Sequence, residues 1–135
     1  MKLQGKKIFI IEDEPNSLAI VSSILRRQGA AVHFDPWGID TAERILKAMP
    51  VDMILLDLML PDQVSGYDVF RALRAIPALQ SIPIVAVTAM DPATELAKTR
   101  AMGFAGFICK PIRTRTFVTY LEAILDGIPV WIDLA

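Results

Sequence analysis

Apolar residues along the chain gather into five short runs, and the stretches between them carry helical spacing. Lys7 to Ile11 (KIFII), Ala31 to Phe34, Met53 to Leu56 (MILL), Ile82 to Val87 and Gly106 to Cys109 (GFIC) read as strands, the second weaker than the others. After the first run, Leu18, Val21 and Leu25 share one helical face that Ile20 and Ile24 widen. Pro15 stands where a first turn tolerates it and Gly29 where a helix ends. A second helix is expected through Ile39, Ala42, Ile45 and Leu46, stopped by Pro50. A third, Tyr67 to Ile76, turns Val69, Phe70 and Leu73 inward. The fourth, Ala93 to Met102, has a poor apolar face and ends at Gly103; the last, Thr116 to Leu125, carries Phe117, Leu121 and Ile124. Strands that are apolar throughout need cover on both faces, and their alternation with helices predicts an α/β domain with a parallel sheet. Only the tail, 127–135 (GIPVWIDLA), falls outside this repeat.

Length and composition narrow the function classes. A chain of 135 residues has room for one core, and 53% apolar residues are enough to build it. Fourteen Lys and Arg against fifteen Asp and Glu leave a net charge of −1, which excludes nucleic-acid binding by sheer basic charge. The single Cys rules out a disulfide framework and a cysteine-based zinc site. Residues 1–7 hold no apolar leader, and the run Met53 to Leu60 is interrupted by Asp57 and too short to span a bilayer. A cytoplasmic domain without membrane or nucleic-acid contacts is therefore expected.

Polar residues follow the strands in a regular way. Glu12 and Asp13 follow KIFII, Asp57 follows MILL, Thr88 follows IVAV and Lys110 follows FIC, so each lies at the carboxyl end of its strand. In a parallel sheet those ends share one edge, where ligand crevices form. If the crossovers reverse direction after the second strand, strands one and three become neighbours and their acids meet. Two like charges ~5 Å apart at an effective dielectric near ~20 cost about 3 kcal/mol. A hard divalent cation with oxygen ligands relieves that cost, and Mg²⁺ leaves room for phosphate. Lys110 adds a fixed positive charge and Thr88 a hydroxyl, which together suit a phosphoryl group beside a carboxylate nucleophile.

The segments IIEDEP (10–15), DMILLDLMLP (52–61), Ser65-Gly66, IPIVAVTA (82–89) and GFAGFICKP (103–111) resemble, in this order and spacing, the receiver domains of two-component response regulators. The resemblance covers about residues 6–126. It implies a flavodoxin-like (βα)5 fold, doubly wound, with a five-stranded parallel sheet in the order 2-1-3-4-5. It divides the chain into a receiver domain, 1–126, and a short apolar tail, 127–135. Asp57 matches the phosphoacceptor. Glu12 and Asp13 match the acidic pair holding Mg²⁺, with Asp13 the direct ligand, and Met59 would add its backbone carbonyl. Thr88 and Lys110 match the residues that bind phosphoryl oxygens. Pro111 matches a proline that is often cis, Ala89 leaves space beside the acceptor, and Phe107 holds the switch-aromatic position. Two departures stand out: the loop from Asp57 to Gly66 is one residue longer than the common pattern, and Phe107 replaces the frequent Tyr.

The implied partners are a histidine kinase or histidine phosphotransfer protein as phosphoryl donor and a downstream protein as target. No output domain follows in the sequence, and the tail is expected to pack on the body and to serve a homodimer contact. The chain would catalyse only its own phosphorylation and dephosphorylation. An aspartate-nucleophile phosphatase of the haloacid dehalogenase type needs a second Asp two positions after the first, where this chain has Met59. A receiver-like binding module that works without phosphorylation is the alternative. Among the remaining residues, Cys109 reads as a small buried group, His33 as a strand surface residue and Gly103-x-x-Gly106 as a turn.

Overall fold

The computed structural model describes residues 2–131. Its strands are β1 (Lys7–Ile11), β2 (Ala31–Asp35), β3 (Met53–Leu56), β4 (Ile84–Thr88), β5 (Gly106–Cys109) and β6 (Val130–Trp131). Its helices are α1 (Pro15–Arg27), α2 (Thr41–Ala48), α3 (Gly66–Arg74), α4 (Pro92–Met102) and α5 (Thr114–Leu125). The sheet is parallel throughout, in the order β2-β1-β3-β4-β5-β6. The five expected strands thus take their expected places, and a sixth extends the sheet beyond β5. That sixth strand comes from the tail. Of the tail expected at 127–135, the part beyond Trp131 lies outside the described residues, as does Met1.

Pleating sorts the strand residues onto the two faces. Phe9 and Ile11, Ile54 and Leu56, Ile84 and Ala86, and Phe107 and Cys109 build the layer under α2, α3 and α4, together with Ile45, Phe70 and Leu73. Ile8 and Ile10, Met53 and Leu55, Val85 and Val87, and Ile108 build the layer under α1 and α5, with Val21, Leu25, Phe117 and Leu121. Both layers are closed to solvent, as strands without polar alternation require.

Several expectations shift for local reasons. Ile39 does not join the apolar face of α2; it is fully exposed, ahead of the helix. The Thr41 hydroxyl accepts from the Gly38 N–H at 2.8 Å and donates to the Asp35 carboxylate at 2.8 Å, and this turn starts the helix two residues later. Ile20 and Leu46 also stay partly in solvent, 51% and 39% exposed, so the buried stripes of α1 and α2 are narrower than their sequences imply. β4 begins at Ile84 because Pro83 has no N–H to donate to a neighbouring strand. The loop expected to be one residue longer contains a 3-10 turn at Pro61–Gln63, where Asp62 and Gln63 take φ of 58° and 60°. Such conformations cost a non-glycine residue roughly 1–2 kcal/mol each. The turn is closed by the Leu60 N–H on the Val64 carbonyl (3.2 Å) and by a bridge between Met59 and Ser65.

Candidate functional site

β1 and β3 lie side by side, with Ile11 opposite Leu56, so Glu12 and Asp57 leave the sheet at the same level. The Asp57 N–H still donates to the Ile11 carbonyl at 3.1 Å, one step beyond the strand. Lys110 leaves β5 two places across the sheet, and its N–H donates to the Thr88 carbonyl at 2.9 Å. From there the Lys110 ammonium reaches back to the Asp57 carboxylate at 3.0 Å and to the Glu12 carboxylate in a closer ion pair. Asp57 and Glu12 are 7% and 5% exposed, so these are buried acids that must find partners. The other Asp57 oxygen accepts from the Met59 N–H at 3.0 Å, which holds the start of the loop against the acid.

Two acids share one base here, and the charges do not balance. Burial, together with the hydrogen-bonded neighbour Asp57, pushes the Glu12 carboxyl up to about 7, against the opposing pull of Lys110. Burial disfavours the Lys110 ammonium, but Glu12 and Asp57 together outweigh it and hold the proton more tightly than usual. Asp13 stands beside them, exposed to solvent, its N–H donating to the Glu12 carboxylate at 3.2 Å.

The donor chemistry suits a hard cation. Asp13, Asp57 and the Met59 carbonyl are all oxygen donors, and Glu12 adds a fourth. Among the described residues the acids are not gathered into a preformed metal cluster. Glu12 and Asp57 both turn to Lys110, and a single ammonium leaves one of the two negative charges uncompensated.

Thr88 ends β4 fully buried, and its hydroxyl accepts from the Met90 N–H at 3.3 Å. It stands two residues after Ala86 in β4 and so shares the face under α3 and α4 on which Ala86 lies. Phe107 is fully buried in that same layer, paired with Ala86. The site is therefore divided. Glu12, Asp57 and Lys110 form one contact group, while Thr88 and Phe107 belong to the α4 side. The Lys110–Pro111 bond is cis.

Gly66 fixes the far side of the loop. A Cβ there would stand 2.5 Å from both the Asp57 carbonyl oxygen and the Leu58 Cα, so only glycine allows α3 to start this close to the acid. The next residue, Tyr67, carries no signal in the sequence beyond a helix start. It is buried, and its hydroxyl donates to the Glu95 carboxylate of α4 at 2.7 Å. Lys98 of α4 lies 4.0 Å from the centre of its ring. Burial and Glu95 raise the phenol's pKa, so it stays a donor. Glu95 and Lys98 are three apart on α4, a spacing that marks a shared helix face but not what it faces.

The chain belongs to the response regulator receiver domain family, whose sequence model matches residues 8–122. It is 34% identical over 122 residues to the transcriptional regulatory protein BaeR of Escherichia coli, covering 88% of this chain and 48% of BaeR. It is 32% identical over 125 residues to the DNA-binding response regulator MtrA of Mycolicibacterium smegmatis, covering 91% and 52%. A third relative, the signal transduction histidine-protein kinase BarA of Escherichia coli, matches at 30% over 105 residues, 78% of this chain but 11% of the kinase. The chain thus spans about half the length of several curated relatives it matches, and a small part of others.

Among solved structures, it is similar to the receiver domain of a sensor histidine kinase of Pseudomonas aeruginosa PAO1 (TM-score 0.77, 27% identity, 90% of this chain and 98% of that one). That domain was crystallised with a magnesium ion coordinated in its active-site cleft. The signal receiver domain of a histidine kinase from Syntrophus aciditrophicus is similar at a TM-score of 0.76 and 26% identity, with 92% of each chain covered. A chemotaxis response regulator of Vibrio cholerae, at 22% identity and a TM-score of 0.77, shares the fold.

Proposed function

We propose that this domain accepts a phosphoryl group on Asp57 from a histidine kinase or a histidine phosphotransfer protein and passes the signal on by changing a protein-contact surface. The observation that carries this reading is a buried Asp57 held by Lys110 at the carboxyl edge of a receiver sheet. A carboxylate oxygen of Asp57 attacks phosphorus; the new P–O bond forms as the P–N bond to the donor imidazole breaks, and the nitrogen leaves with its electron pair. Lys110, freed from sharing two acids, neutralises charge on the transferring oxygens, and the Thr88 hydroxyl donates to one of them. Mg²⁺ held by Asp13, Asp57 and the Met59 carbonyl, with Glu12 beside them, would supply further neutralisation of phosphoryl charge. Thr88 drawn toward the acyl phosphate leaves space next to Phe107, and the surface of α4, β5 and α5 changes shape.

The domain is in this reading no enzyme toward outside substrates, and it works in the cytoplasm. Among the described residues no helix is long and apolar enough to cross a membrane. Its target in this reading is a downstream protein rather than nucleic acid, since a net charge of −1 offers no overall excess of cations for phosphate contacts. Incubation with acetyl phosphate and Mg²⁺, followed by intact-mass analysis, tests the proposal. One phosphoryl group should appear on the wild type and none on Asp57→Asn, with Lys110→Ala strongly slowed. An unlabelled wild type, or equal labelling of Asp57→Asn, contradicts it in favour of a binding module that does not use phosphate.

A further inference from the structure

The segment after α5 does more than end the chain's last helix. Gly127, with φ of 82°, turns the backbone, and the Ile128 N–H donates to the Ala123 carbonyl at 2.9 Å. The Val130 N–H then donates to the Ala105 carbonyl at 3.3 Å, and Val130 and Trp131 run parallel to β5, opposite Gly106 and Phe107. Gly106 is fitted to this neighbour. A Cβ there would stand 2.7 Å from the Val130 carbonyl oxygen and 3.0 Å from Ile124 Cδ1. The Trp131 ring packs on the layer under α4, and the Arg100 guanidinium of α4 lies 5.7 Å from its centre. Without β6, β5 would be an edge strand with unpaired donors and acceptors, open to a strand from another chain.

We propose that Gly127–Trp131 is a restraint acting in cis. It fills the β5 edge and ties α4 down, so the α4–β5 face is closed to a partner's strand until this segment leaves, and its release is linked to occupation of Asp57. The route for that link is short. Thr88 ends β4 and leads into α4, while Phe107 pairs with Ala86 on one side and with Trp131 on the other. Movement of Phe107 takes a backbone partner from β6; movement of α4 takes Arg100 from Trp131. The link rests on the phosphoacceptor reading above, whereas the restraint stands on the contacts alone.

Amide hydrogen exchange on the full chain tests both parts, using Trp131→Ala to remove the ring and Val130→Pro to remove the N–H. Both variants should raise exchange in α4 and β5 by about five- to thirty-fold and leave β1 and β3 unchanged, while Trp131→Phe, which keeps a ring, should stay near the wild type. Linkage then requires both variants to bind beryllofluoride with Mg²⁺ more tightly than the wild type, because what occupation releases must in turn favour occupation. Unchanged exchange in α4 and β5 in both variants overturns the restraint, as does a rise spread evenly over all strands. Raised local exchange with unaltered beryllofluoride affinity overturns the link. Beryllofluoride that binds neither wild type nor variants contradicts the phosphoacceptor reading and the link with it, and leaves the exchange data to decide the restraint.

Discussion

The helices on either side of the site, α3 and α4, are held to the same sheet by opposite means. α3 buries Tyr67, Val69, Phe70 and Leu73, and its Phe70 ring stacks on Phe104 with 4.1 Å between centres. Its last turn is tied by Arg74, which donates to the Leu79 carbonyl at 2.8 Å. α4 buries a single residue, Thr99, whose hydroxyl donates back to the Leu96 carbonyl of its own helix at 2.8 Å. Its outside anchors are mainly polar or cationic: Glu95 to the Tyr67 hydroxyl, Lys98 over the Tyr67 ring and Arg100 over Trp131. Apolar burial is worth about 25 cal/mol per Å², whereas a single hydrogen bond is worth only about 1 kcal/mol net, because water replaces it when it breaks. One wall of the site is therefore built into the core, and the other can change position at small cost.

Substitutions that probe the two walls should differ most in stability. Leu73→Ala, in the fully buried stripe of α3, is expected to cost about 2–5 kcal/mol in urea unfolding. Leu96→Ala, on the half-buried side of α4, should cost roughly 1 kcal/mol; equal losses would erase the contrast. Gly66→Ala pushes a methyl group into the backbone of Asp57 and Leu58 and should destabilise by about 1–3 kcal/mol, with phosphoryl acceptance reduced as well.

The pH dependence follows from Glu12, raised to about 7 by burial and Asp57. A protonated carboxyl does not bind a cation, so Mg²⁺ affinity should rise with pH, by about tenfold from pH 6 to pH 8. Glu12→Gln should flatten that rise, as followed by Mg²⁺ titration with amide chemical shifts. The smallest expected effect is that of Tyr67→Phe. It removes one hydrogen bond to Glu95, costs about 1 kcal/mol and loosens α4 without touching α3. Exchange raised in both helices would break the assignment.

Much of this was legible in the sequence, because strand cores and strand ends announce themselves. KIFII, MILL and GFIC are buried on both faces, and the residues that follow them converge, as Lys110 meeting Glu12 and Asp57 demonstrates. What the pattern missed depends on contacts across the fold. β6 is two residues long and exists because Gly106 leaves room for it, a condition no local periodicity carries. Tyr67 looks like any first-turn apolar residue until α4 brings Glu95 to its hydroxyl. Ile39 shows the converse: a helical spacing does not reveal that the turn made by the Thr41 hydroxyl with Gly38 and Asp35 starts the helix after it.

Amide NMR of the full chain with and without beryllofluoride and Mg²⁺ tests most directly whether filling the Asp57 site moves one wall and spares the other. Shifts should concentrate in the loop after Asp57, the end of β4, α4 and β5, with α3 from Val69 to Arg74 unchanged. Shifts of similar size in α3 and α4, or none in α4 when Asp57 is occupied, would contradict it.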